Sequence, residues 1–124
     1  MSATDDQIRH VIERYVALVA TGTAAEITAL YAEGATVEDP VGSDVLTTRE
    51  QIHAFYATLE GLEQRTRLIE ARIAGGQAAF LFEVATVTPD ATFVLAPIDV
   101  MTFDDAGLIT SMRAFWGPAD MTTA

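Results

Sequence analysis

The hydrophobic pattern changes period near residue 60, and this change limits the fold more than any other feature of the chain. Before it, apolar residues recur at steps of three and four. Ile8, Val11, Ile12, Tyr15, Val16 and Val19 form one stripe of an amphipathic helix. Thr4 or Asp5 can cap its start, and Gly22 suits its end. A shorter helix is expected next, with Ile27, Leu30 and Tyr31 inward. Residues 35–39 alternate and stop at Pro40, which reads as a short strand. Thr48-Arg49-Glu50-Gln51 is a capping-box pattern that opens a third helix. Its inward face carries Ile52, Phe55, Tyr56 and Leu59, and it closes near Gly61.

Beyond that point the period is two. Strands are expected near 64–73, 77–87, 92–103 and 108–116. Short turns at 75–76, 88–90 and 104–107 join them as hairpins. Helices first and strands after define an α+β class. Three N-terminal helices should pack on one face of a curved, mostly antiparallel sheet. Such a sheet encloses a concave apolar pocket suited to a small ligand. No repeat or linker interrupts the 124 residues, so a single domain spanning 1–124 is expected.

Composition narrows the chemistry that such a pocket can host. All seven basic residues are arginine; there is no lysine and no cysteine. Schiff-base nucleophiles, phosphate-loop lysines, thiol nucleophiles, disulfides and thiolate metal sites are therefore excluded. Eighteen acidic residues give a formal charge of −11. That balance argues against nucleic acid and against an anionic membrane surface. The stretch 1–9 is polar with two aspartates, unlike a signal peptide, and no apolar run reaches bilayer length. A cytoplasmic location is the expectation.

Strand parity indicates which carboxyls enter the pocket. Phe93, Leu95, Pro97, Asp99, Met101 and Phe103 share one side, with Asp99 the only polar member. Desolvation there should push its pKa upward and leave it a neutral hydrogen-bond donor. The other side (Val94, Ala96, Ile98, Val100) is also apolar, which marks a buried strand or an interface. Asp39 shares its side with Ala35 and Val37 and ends its strand, nearer a pocket's mouth, so it is expected to be less desolvated and ionised. Spacing alone equally allows Asp39 simply to open the Pro40–Gly42 turn and Asp99 to bond a backbone group.

Tyr15, Tyr31 and Tyr56 all fall on expected inward helical faces. Their hydroxyls need partners and can form a chain that makes Tyr15 a stronger donor. Read singly, each is also ordinary core. Phe80, Phe82 and Val84, with Met112, Ala114 and Trp116, face the pocket by the same parity. His10 and His53 stand alone on helices without a second ligand at metal spacing. Ser43 and Ser111 lack a histidine partner in any nucleophile motif.

Several segments together resemble the bacterial Δ5-3-ketosteroid isomerases. They are Arg14-Tyr15, Ala35-Thr36-Val37-Glu38-Asp39-Pro40-Val41-Gly42, Phe55-Tyr56, Ala96-Pro97-Ile98-Asp99 and Ser111-Met112-Arg113-Ala114-Phe115-Trp116-Gly117. The likeness runs in order from Arg14 to Gly117. It implies the cone-shaped fold of nuclear transport factor 2 and a homodimer formed through the outer sheet face. It implies isomerisation of 3-oxo-Δ5-steroids to 3-oxo-Δ4-steroids without a cofactor or metal. Asp39 matches the base that moves a proton from C4 to C6. Tyr15 and protonated Asp99 match the two donors to the C3 oxygen. Tyr56 and Tyr31 match the supporting hydrogen-bond network. Phe82, Met112 and Trp116 match apolar residues of the steroid site, and Phe80, Val84 and Met101 join them by position.

The likeness thins across 62–72 and 86–92, segments that can border the far end of a ligand. Two other readings therefore stand beside the first. One is a different enzyme on the same fold, such as an epoxide hydrolase, dehydratase or cyclase. The other is a non-catalytic binder of steroids or similar lipids.

Overall fold

The computed structural model describes residues 2–124; Met1, the first residue of the polar N-terminal stretch, lies outside them. Helix α1 spans Asp5–Thr21 and buries Ile8, Ile12, Tyr15, Val16, Leu18 and Val19. The Thr4 hydroxyl accepts from the Gln7 amide, and the Gln7 side chain accepts from the Thr4 amide. This reciprocal cap selects Thr4 over Asp5, because both orphan donors are satisfied at once. At the other end the Gly22 amide donates to the Leu18 carbonyl at 2.7 Å. A Cβ on Gly22 would lie 2.9 Å from the Leu18 backbone carbonyl oxygen, so the close approach favours glycine.

Helix α2 (Ala24–Thr28) is a single capped turn. Helix α3 (Arg49–Ala57) starts at the expected Thr48–Gln51 capping box and buries Ile52 and Tyr56. Arg49 joins the two helices to the sheet: its guanidinium donates to the carbonyls of Thr28 at 3.1 Å and Tyr31 at 3.0 Å.

Seven strands form one sheet: β1 (Tyr31–Glu38), β2 (Glu63–Ala74), β3 (Gln77–Val87), β4 (Thr92–Leu95), β5 (Ile98–Phe103), β6 (Ile109–Phe115) and β7 (Met121–Thr123). Their order is β1-β6-β5-β3-β4-β7, with β2 also paired to β3. Only β1–β6 is parallel. The expected α+β architecture is therefore present, with helices on one face of a mostly antiparallel sheet. Helix α1 lies across β2, where the Thr66 hydroxyl donates to the Val16 carbonyl at 2.6 Å.

Two local expectations are corrected. Tyr31 is not on a helix; it begins β1, because α2 stops after five residues. The strand expected over 92–103 is two strands, β4 and β5, divided at Ala96–Pro97, where proline lacks a ladder donor. The short β7 was not anticipated. A bulge between Leu68 and Glu70 shifts β2's inward set from 64, 66 and 68 to 71 and 73.

Candidate active site

Between the helices and the concave sheet face lies a cavity of about 320 Å³. This falls within the roughly 300–1,000 Å³ of small-molecule sites. Parity survives the β4–β5 break, since Phe93, Leu95, Pro97 and Asp99 all line it. Tyr15 and Tyr56 enter from the helices, Asp39 from just past β1, and Trp116 from just past β6. Phe82 and Val84 line the wall as expected. Phe80, Met101 and Met112 do not: each is about fully buried in the core and absent from the lining. Their parity is inward, but they belong to the packed core and not to the cavity wall. Phe80 acts indirectly, its ring packed edge-on against Tyr15 with centroids 6.2 Å apart.

Asp99 is 2% exposed, on a strand flanked by β3 and β6. Its Oδ1 is buried and has no hydrogen-bond partner among the described residues. Burial pushes its carboxyl well above the ordinary carboxylate range, and the charge of Asp39 pushes it further. Both effects favour the neutral acid.

Asp39 and Glu38 are neighbours with opposite fates. Glu38 points outward, where the Gly42 amide donates to it at 2.9 Å and Arg113 lies at 3.3 Å; both hold its pKa down, the Gly42 bond foremost. Those bonds, and the Val41 amide on the Ala114 carbonyl at 2.8 Å, anchor the turn. Asp39 points inward and accepts from Trp116 Nε1 at 2.7 Å. Burial raises its pKa, and the indole bond opposes the rise by favouring the carboxylate.

The three tyrosines meet as the sequence implied, although Tyr31 arrives from a strand. Tyr31 and Tyr56 hydroxyls are 2.6 Å apart, and Tyr56 and Tyr15 hydroxyls 3.0 Å. Burial, the leading cause in each, keeps all three phenols well above their ordinary pKa. They are neutral donors at any ordinary pH. Sequence parity missed two polar lining residues, Gln64 and Thr86. Thr86 continues the Phe82–Val84 alternation by one step, so the signal for it was present. Gln64 sits in a stretch polar on both faces, which carries no such signal. His10 and His53 are exposed on α1 and α3 and take no part in the cavity.

The chain matches the SnoaL-like domain family over residues 12–112. It is 50% identical over 115 residues to the Steroid Delta-isomerase of Nocardioides simplex, covering 93% of this chain and 94% of that protein. Among solved structures it resembles SalBIII, an epoxide hydrolase/cyclase-like enzyme of pyran ring formation in the polyether salinomycin. That likeness has a TM-score of 0.88 at 26% identity, over 97% of this chain and 98% of that one. The chain belongs to the SnoaL-like family, with the fold of nuclear transport factor 2, and is an enzyme of its steroid Δ-isomerase branch.

Proposed function

We propose that the protein converts 3-oxo-Δ5-steroids to 3-oxo-Δ4-steroids by moving one proton from C4 to C6. The observation that carries this reading is the buried Asp99 carboxyl with an unpartnered oxygen, in one cavity with Tyr15 and Asp39. Asp39, as carboxylate, takes the C4 proton. The electron pair left behind delocalises through the carbonyl, giving a dienolate with charge on the C3 oxygen. Tyr15 and neutral Asp99 donate to that oxygen, and Asp39 then returns the proton to C6. Preorganised donors in a dry site stabilise charge as it develops, each worth roughly 10²–10³-fold. An ionised Asp99 would repel the oxyanion instead.

The tyrosine chain sharpens one of those donors. Each phenol has a single proton. If Tyr31 donates to Tyr56 and Tyr56 to Tyr15, the Tyr15 proton is left for the cavity and polarised toward it. The apolar walls exclude water without adding a competing acid.

On this reading the chain works as one domain, in the cytoplasm, and as a homodimer through the outer sheet face. Ile98 and Phe115 support the dimer: they are cross-strand partners, 45% and 41% exposed, on the face away from the cavity. Sedimentation at micromolar concentration should give about twice the 13.3 kDa chain mass; a monomer alone would overturn the interface.

The activity is tested by adding the protein to a 5-ene-3-ketosteroid and following the ultraviolet absorbance of the conjugated 4-ene-3-ketone. Acceleration over buffer is expected, and its absence would remove the isomerase reading.

A further inference from the structure

The cavity has a second polar station that the isomerisation does not use. Gln64 on β2 and Thr86 on β3 face each other in strand register. Gln64 Nε2 donates to Thr86 Oγ1 at 2.9 Å, and both residues line the cavity. Gln64 Oε1 is buried and has no hydrogen-bond partner among the described residues. Its neighbour on the same inward face, Thr66, turns instead to the helix and donates to the Val16 carbonyl. An orphaned buried acceptor is destabilising, and a ligand donor would relieve it.

The station lies far from the reacting end. Asp99 is in register with Phe80, six residues back along β3 from Thr86, or about 20 Å of strand. The Pro97 carbonyl accepts from the Phe82 amide, four residues back, or about 13 Å. Apolar side chains, Val84 and Leu95 among them, fill the interval. A ligand held by Tyr15 and Asp99 at one end thus meets an apolar wall and then one polar pair.

We propose that Gln64 and Thr86 form a specificity site that selects ligands carrying a hydroxyl at the end remote from the enone. This rests on the ketosteroid reading above and extends it to the far ring. A hydroxyl both donates and accepts. It can give its proton to Gln64 Oε1 while accepting from the Thr86 hydroxyl, whose own proton has no assigned acceptor. A ketone accepts only and leaves Gln64 Oε1 orphaned. A hydrocarbon end satisfies neither group.

The test measures dissociation constants for three 4-ene-3-ketosteroids that bear a hydroxyl, a ketone or hydrogen on the far ring. Binding is followed by quenching of Trp116, and turnover of the matching 5-ene compounds is recorded in parallel. The native chain should bind the hydroxyl compound roughly tenfold more tightly than the hydrogen compound, and more tightly than the ketone. Gln64→Leu and Thr86→Val should each bring the ratio toward one. Val keeps the β-branched shape of Thr, so that variant controls for strand packing. Turnover without discrimination, or discrimination that survives in both variants, overturns the proposal and leaves the isomerase reading standing. Discrimination without turnover of any compound does the reverse. Failure to bind all three overturns both.

Discussion

Trp116 Nε1 donates to Asp39 Oδ1 at 2.7 Å, so the indole holds the carboxylate at the cavity wall. Burial and this bond act on Asp39 in opposite directions, burial being the stronger. Trp116→Phe keeps an apolar ring and removes the donor. The Asp39 pKa should then rise, because the charged form has lost its partner. In a pH profile of kcat/KM the acid limb should move to higher pH, with the rate falling more at low pH than on the alkaline side. An unmoved limb would show that the indole does not tune the base.

Tyr15 and Tyr56 should respond unequally to loss of their hydroxyls. Tyr15→Phe removes a direct donor to the oxyanion and should lower kcat by roughly 10²–10³-fold. Tyr56→Phe removes the relay between 2.6 Å and 3.0 Å neighbours and strands the Tyr31 hydroxyl. It should lower kcat by no more than about tenfold while destabilising the fold by roughly 1–3 kcal/mol in urea unfolding. Equal losses of kcat would make Tyr56 a direct donor.

Asp99 should act as an acid and not as an anion. Activity should then rank native above Asp99→Asn, and Asp99→Asn above Asp99→Leu, because the amide still donates. Equal failure of both variants would point to a needed charge. Stability gives an independent sign. The raised folded-state pKa means that the folded chain holds a proton the unfolded chain has released. Stability contributed this way is complete below the ordinary carboxylate range and is lost as pH rises toward the folded pKa, by at most about 1.4 kcal/mol per pH unit. Thermal unfolding of the native chain should therefore show a decline over this window that is flatter in Asp99→Asn. Parallel curves would contradict a neutral Asp99.

Much of this site is legible in the sequence. The Thr48–Gln51 capping box marks the start of α3, and Thr4 or Asp5 brackets the start of α1, because capping depends on local residue order. Period two placed Asp99 among Phe93, Leu95 and Pro97, and that grouping holds even across a broken strand. Helical spacing runs on to Tyr31 past the point where α2 ends, and Arg49, 21 residues beyond Thr28 and 18 beyond Tyr31, ties that end to β1. Phe80, Met101 and Met112 show the limit of parity. It assigns a face but not whether a helix or a cavity covers that part of the face. Gln64 was invisible for a different reason: Glu63, Gln64, Arg65, Thr66 and Arg67 offer no apolar alternation, and only pairing with β3 turns Gln64 inward.

The division of labour between two carboxyls is tested most directly by Asp39→Asn. Its turnover of a 5-ene-3-ketosteroid should be compared with binding of a phenolic mimic of the dienolate. The kcat should fall by roughly 10²–10⁴-fold while the phenol still binds, because Tyr15 and Asp99 are untouched. A kcat within a few-fold of the native value would contradict it, since the proton would then be moving through some other group.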